Sequence, residues 1–284
     1  MIPASFEYVR AKTLAQALTA AGAKDTKVMA GGQTLIPLMR FRLTQPKRVI
    51  DIGGLEQLKG IKATPGGLRI GAGVTYREIL DSALVRKQAA LVAEVTNGIG
   101  DRQVRNRGTI GGAVAHADPA SDIPAVLLAL GAVITVRSKR GSRKIPAADF
   151  FTGAFTTALK RGELVIDITV PAVPKGAGTA YVTFEQPASG YPLVAAAAVV
   201  AKAKGVVRHA VLAFTGLSDH PFLSASVSQL LGTAASAAEI ASVADTAAGG
   251  VEPNADIHAS GDYRLHLARV AAVRALTQAI ERAR

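Results

Sequence analysis

The sequence predicts an α+β chain built from more than one unit, and three observations predict it. A strand–helix–strand pattern occupies the segment up to Ile52. Five strand-like runs crowd into the segment from Ala132 to Phe214. Helical periodicity then takes over and continues to Arg282. The 284 residues exceed the usual size of a single core, and a hydrophobic content of 49% is enough to fill several.

Thr13 is placed to cap a helix over Leu14–Ala21, which Gly22 stops. Lys27–Ala30 reads as a buried strand, and the glycine pair Gly31-Gly32 turns the chain. Thr34–Met39 reads as a short helix or turn, limited by Pro37. Arg48–Ile52 is the next strand. This βαβ-like unit puts Gly31-Gly32 at the carboxyl end of a strand, where open α/β sheets hold ligands. Gly53-Gly54 and Thr64-Pro-Gly-Gly67 mark a junction. Leu68–Ala72 is a strand, and Thr75-Tyr-Arg-Glu78 is a capping box that opens a helix. A second helix is expected over Ala83–Val95, and the polar stretch Thr96–Arg107 reads as loop.

Thr109–Asp122 follows, with Gly111-Gly112 and the polar group His116, Asp118, Ser121 and Asp122. Ser121 or Asp122 can cap a helix ending at Gly131. The strand runs are Ala132–Arg137, Gly162–Val170, Ala180–Phe184, Leu193–Ala201 and Val206–Phe214, with a hairpin tip around Gly141. Pro171–Gly178 is a linker by composition. Helices are expected over Pro221–Leu231, Ala237–Ala248 and Asp262–Arg282, the last with Val270, Val273, Leu276 and Ile280 on one face. The junctions divide the chain into units over 1–57, 58–174 and 178–284.

Composition excludes some chemistry. There is no cysteine, hence no disulfide, thiolate nucleophile or thiolate-held iron–sulfur cluster in this chain. The net charge is +12, but the cations are scattered and have few aromatic neighbours for base stacking. The two densest groups are Arg102, Arg105 and Arg107, and Arg137, Lys139, Arg140, Arg143 and Lys144. A solvated basic surface, or a face for an acidic partner subunit, is expected rather than a nucleic-acid site. No apolar run reaches the roughly 18–20 residues of a membrane span, so no integral membrane segment is expected. The start, Met1–Glu7, lacks a basic segment followed by an apolar one, so no secretory signal is read there.

Neither glycine pair fits a standard phosphate motif. Gly31-Gly32-Gln33-Thr34 lacks the lysine of a phosphate-cradling loop. Gly71-Ala-Gly73 begins like the dinucleotide fingerprint, but Tyr76 takes the third glycine position. Either pair alone is as well explained by a structural turn. Together they offer two turns of bare backbone able to approach one pyrophosphate from two sides.

Ala30-Gly-Gly-Gln-Thr-Leu-Ile-Pro37 resembles the first glycine loop of the FAD-binding medium subunits of molybdenum hydroxylases, the carbon monoxide dehydrogenase and xanthine dehydrogenase family. Arg105-Asn-Arg-Gly-Thr-Ile-Gly-Gly112 and Ala117-Asp-Pro-Ala-Ser-Asp-Ile-Pro124 resemble its second motif, in the same order. The resemblance covers essentially the whole chain. It implies a two-part FAD-binding domain of the vanillyl-alcohol-oxidase type, followed by a C-terminal domain of a small antiparallel sheet and helices. It implies that Ala30, Gly31, Gly32, Gln33 and Thr34 give backbone N–H groups to the pyrophosphate. Thr109, Gly111, Gly112 and Ala113 would complete that cradle. Asp122 would approach the ribose of the adenosine half, Ile99 the adenine, and Val165 and Tyr191 the flavin. Ala113 stands where many members have Asn or Ser, which removes one side-chain hydrogen bond. Glu185 stands where some members carry a cation.

His116 can hydrogen-bond the cofactor or only close its loop. Asp118 can do the first or form an Asx turn. Arg105 and Arg107 can anchor the loop or face a partner. No His or Cys stands beside the first loop, where related oxidases attach flavin covalently, so FAD is expected to bind non-covalently. The resemblance further implies an electron-transfer subunit with no catalytic acid or base of its own. The molybdenum cofactor and two [2Fe–2S] clusters would lie in a large and a small partner subunit, as a dimer of heterotrimers. The place would be the cytoplasm or the inner face of the membrane. Two rivals make different predictions. A self-contained flavin reductase acting on UDP-N-acetylenolpyruvoylglucosamine would be yellow and active alone. A basic binding module would be colourless.

Overall fold

A computed structural model describes residues 2–284; Met1 lies outside them. The first sheet comprises β1 (Glu7–Arg10), β2 (Thr26–Met29) and β3 (Arg48–Asp51), parallel and ordered β1-β3-β2. Helix α1 (Leu14–Ala21) crosses between β1 and β2, its Thr13 cap accepting from the Gln16 N–H at 3.2 Å. Helix α2 (Leu35–Arg40) follows the first glycine pair. β1 is a strand the sequence pattern does not reveal: all four residues are exposed, so it has no apolar signal.

Next come β4 (Ile61–Thr64), β5 (Gly67–Gly71), α3 (Tyr76–Asp81), α4 (Ala83–Gln88), α5 (Ala90–Gly98), α6 (Arg102–Arg107), α7 (Ile110–His116) and α8 (Asp122–Ala129). The hairpin β6 (Val133–Ser138) and β7 (Gly141–Pro146), the short α9 (Ala147–Phe150), the small ladder β8 (Phe151–Gly153) with β9 (Thr156–Thr157), and β10 (Leu164–Pro171) complete this part. Its sheet is antiparallel, ordered β4-β5-β10-β6-β7.

The last part has β11 (Gly178–Glu185), β12 (Pro192–Ala203), β13 (Val206–Thr215) and β14 (Phe222–Leu223) in one antiparallel sheet. Helices α10 (Ala237–Asp245) and α11 (Gly261–Arg282) pack with it. Helix α8 lies between the two antiparallel sheets. Ile123 to Ala129 are all buried, because Ala197, Val199 and Ala213 of the last sheet share their core with β5, β6 and β10. A helix apolar on every side is stable only when it is covered all round.

Four expectations need correction. The predicted loop Thr96–Arg107 contains the end of α5 and all of α6, which Asp101 caps by accepting from the Val104 N–H at 2.7 Å. The expected helix Ala83–Val95 is two helices, broken where Ala89 leaves helical geometry and enters the core. Pro221–Leu231 is not an α-helix but β14 and a 3-10 turn, because the Ser224 N–H pairs with the Leu212 carbonyl. On α11 the core face is rotated from the apolar pattern. Ala268, Ala271, Ala272, Ala275 and Ala279 are buried while Val273 is exposed. Alanines let α11 lie close on β12, whose Ala196 and Ala198 share its core.

Candidate functional site: a glycine-lined cleft

One cleft of about 560 Å³ runs between the first sheet, the α6–α8 segment and the 189–191 loop. Its first wall is the turn after β2. The N–H groups of Gly31, Gly32, Gln33 and Thr34 find no protein acceptor among the described residues. Four successive unpaired donors form a ready site for an anion. Gly32 has φ +76°, which favours glycine, and Gly31 is pressed against the opposite wall. A Cβ on Gly31 would stand 1.9 Å from the Arg107 carbonyl oxygen.

The second wall differs from the expected loop of bare donors. Thr109 is the N-cap of α7, and its hydroxyl accepts from the Gly112 N–H at 3.1 Å. The Ile110 N–H donates to the Val74 carbonyl and the Gly111 N–H to the Ala72 carbonyl, at 3.1 and 2.9 Å. Gly111 is a packing glycine, since a Cβ there would meet the Ala72 Cβ at 2.5 Å. The polar group this wall keeps for a ligand is the proton of the Thr109 hydroxyl, beside the exposed Gly112 and half-buried Ala113.

Beyond α7, Ala117 adopts a left-handed conformation and turns the chain into Asp118. Asp118 accepts from the Ala120 N–H at 2.9 Å, which is the Asx-turn arrangement. His116 is half-buried, with its Nε2 3.8 Å from Asp118 and its ring 5.1 Å from that of Phe155. Burial lowers the imidazole's affinity for a proton, and Lys27 adds to this, while Asp118 opposes it. Asp122 starts α8 and accepts from the Tyr181 hydroxyl at 2.7 Å. Burial pushes its carboxyl up to about 6, against the lowering effect of that bond. Tyr76 of α3 also faces this carboxylate, and burial raises its hydroxyl further still. Tyr191 is raised as well, first by burial and then by Asp118 and Asp122.

The fifteen residues assigned from sequence all line this one cleft, including Ile99, Val165 and Tyr191. Arg105 acts as an anchor: its guanidinium donates to the Ile99 and Gly100 carbonyls at 3.0 and 2.7 Å. Sequence reasoning missed Tyr76 and Tyr181. Tyr76 was legible as the first residue after the Thr75 cap and as the break in a glycine pattern, and Tyr181 only as one member of an alternating strand. A cleft with four free backbone donors at one end and a mixed lining of apolar and polar side chains elsewhere fits a phosphate-bearing planar cofactor.

Residues 4–173 match the FAD-binding domain of molybdopterin dehydrogenase, and residues 179–279 match the C-terminal domain of the carbon monoxide dehydrogenase flavoprotein. The chain is 37% identical to the glyceraldehyde dehydrogenase medium chain of Sulfolobus acidocaldarius, covering 98% of this chain and 99% of that one. It is 34% identical to the carbon monoxide dehydrogenase medium chain of Hydrogenophaga pseudoflava, covering 98% of each. The solved structure of carbon monoxide dehydrogenase from Hydrogenophaga pseudoflava superposes with a TM-score of 0.97 at 35% identity over 100% of both chains. The fold and cleft define a flavin-binding protein of mixed α and β architecture. The chain belongs to the family of FAD-binding medium subunits of molybdenum hydroxylases.

Proposed function

We propose that this chain holds FAD non-covalently and relays electrons within a molybdenum-containing oxidoreductase. The observation that carries it is the run of free N–H groups from Gly31 to Thr34, facing the Thr109 hydroxyl across one cleft. The units 1–57 and 58–174 would grip the cofactor, and 178–284 would cover it. Gly31–Thr34 would bind the pyrophosphate. Ile99 would pack on the adenine, Asp122 would orient a ribose hydroxyl, and Val165 and Tyr191 would shield the ring system from water. FAD supplies a carrier that takes electrons singly and gives them in pairs. The walls of the cleft bind, orient and exclude water.

The chain has no cysteine, so it cannot itself ligate a thiolate-held cluster. Electrons would come from [2Fe–2S] clusters in a small partner subunit, after oxidation of a substrate at a molybdenum cofactor in a large one. They would leave to an external acceptor. Several relatives are named as chains or subunits of larger enzymes, which supports this division. The assembly would be a dimer of heterotrimers in the cytoplasm or at the inner face of the membrane. No helix among the described residues is long and apolar enough to cross a membrane.

The test is purification of the native assembly. A yellow chain that co-purifies with a molybdenum-bearing and an iron–sulfur subunit is expected. A colourless chain, or a yellow one active alone, would overturn the reading.

A further inference from the structure

Two cavities share one wall. The cleft and a second cavity of about 440 Å³ are both lined by Asp118, Ser189 and Tyr191. The second cavity opens to solvent between exposed residues, among them Phe155, Asp256 and His258. His116 stands in the shared wall. On one side it lines the cleft, together with Lys27 and Tyr191. On the other its ring lies 5.1 Å from that of Phe155, which lines the second cavity and not the cleft. Phe155 is held there in a left-handed conformation, φ +52°, by the bond from its N–H to the Ala117 carbonyl at 3.0 Å. The His116 Nε2 is 3.8 Å from the Asp118 carboxylate. The wall therefore carries a titratable pair with the cleft on one side and water on the other.

We propose that His116, with Asp118 beside it, takes a proton from the second cavity when negative charge enters the ring system in the cleft, and returns it when that charge leaves. The inference rests on the flavin reading above, which puts Tyr191 at the ring system. Electrons from iron–sulfur clusters arrive without protons. Of two electrons, one is matched by a proton on the ring system, which leaves one negative charge there. His116 matches the other, because its free ring nitrogen gains a proton from solvent. No bond to the cofactor forms, and both protons return to solvent when the electrons pass to the acceptor. The coupling needs no contact, since charge acts across the cleft.

The surroundings of His116 leave it able to respond. Burial, helped by Lys27 of β2, disfavours its charged form, and Asp118 favours it. The other elements packed against α7 bring their charges already partnered. From β10, Glu163 is bonded to Arg143 at 2.8 and 2.9 Å, and Asp167 to Arg69 at 2.9 Å. From α8, Asp122 is bonded to Tyr181, and β9 brings only threonines. A new negative charge in the cleft thus acts on an imidazole that changes its charge near neutrality.

The test is the reduction midpoint of the FAD-loaded chain, followed by its yellow colour from about pH 5 to 9, the span in which histidines titrate. Where His116 takes a proton on reduction, the midpoint should fall more steeply by one proton. That is tenfold in the equilibrium constant per pH unit, or about 30 mV for two electrons. The steep range should begin below the ordinary histidine value of 6.5. His116→Gln should lose it. Asp118→Asn removes the charge that favours the imidazolium and should move the range to lower pH. Its amide oxygen can still accept from the Ala120 N–H, so the turn is kept. Lys27→Gln should move the range to higher pH. A steep range that survives in His116→Gln belongs to the cofactor itself and overturns the inference, with the chain yellow and the flavin reading standing. Should that variant hold no FAD, the opposite shifts of the other two decide, and their absence overturns it. A colourless parent chain overturns the flavin reading instead.

Discussion

Gly31 lies so close to the carbonyl of Arg107 that the two walls of the cleft touch through backbone alone. A methyl group on Gly31 would stand 1.9 Å from that oxygen and 2.6 Å from its carbon. Neither neighbour is a flexible side chain that could swing aside. Gly31→Ala is therefore expected to part the walls and displace the free donors of Gly32 to Thr34. A loss of about 2 kcal/mol in FAD binding, or roughly thirtyfold in Kd, should appear in a flavin fluorescence titration. Gly112→Ala is the control. Its Cβ would meet only the Thr109 hydroxyl, at 2.9 Å, and it should weaken binding less.

Thr109 links helix capping to the site. Its hydroxyl holds the Gly112 N–H at 3.1 Å and starts α7. Thr109→Val keeps the shape and removes the acceptor. It should lower stability by about 1 kcal/mol, the usual worth of an N-cap, as read by urea unfolding. Thr109→Ser should restore most of it.

Asp122 makes stability depend on pH in an unusual direction. Its folded-state affinity is raised to about 6 from 3.8, chiefly by burial. A carboxyl raised in this way favours the folded state most when protonated. Its contribution is complete below about 4 and is lost as pH rises towards 6. The loss is up to about 3 kcal/mol in the FAD-free chain. Asp122→Asn stays neutral at every pH, so it should melt above the parent at pH 7.5 and close to it at pH 4. Equal shifts at both values would remove burial of the charge as the cause.

Arg264 is a cation with 4% exposure at the root of the Tyr191 loop. It donates to the Leu193 carbonyl, to the Gly216 carbonyl at 2.9 Å, and to Asp256 at 2.7 Å. Arg264→Met leaves two carbonyls without this donor and should cost about 2–4 kcal/mol. Thermal unfolding would show it, and greater exposure of the flavin to fluorescence quenchers would follow from a loosened Tyr191.

Acid denaturation checks the mode of attachment. No His or Cys lies within Ala30–Pro37. Acid precipitation should release all the yellow colour into the supernatant, and colour kept in the pellet would mean a covalent bond.

The two glycine turns that wall the cleft were legible in the sequence. The two motifs carry their geometry in local sequence, because Gly31 and Gly111 are positions where a Cβ cannot fit. The roles of the donors were not legible. Whether the Gly111 N–H faces a ligand or the Ala72 carbonyl is decided by the segment just after β5, which is distant in sequence. The same holds for Asp122, whose partner Tyr181 lies 59 positions further on. Among the elements, those with apolar rhythm, such as β12 and β13, were readable. Strand β1 and helix α6 were not. One is exposed on every residue, and the other is held by a single aspartate cap rather than by an apolar stripe.

The alanine contact between α11 and β12 bears on how the protein responds to temperature. Alanine has no rotamers to lose, so ordering Ala268, Ala271, Ala272, Ala275 and Ala279 against Ala196 and Ala198 carries no side-chain entropy cost. It also removes less apolar surface from water per residue than leucine would. The heat-capacity change of this layer is correspondingly small. Its contribution to stability therefore varies gently with temperature, and the sheet that carries the Tyr191 loop keeps its support on warming and on cooling alike.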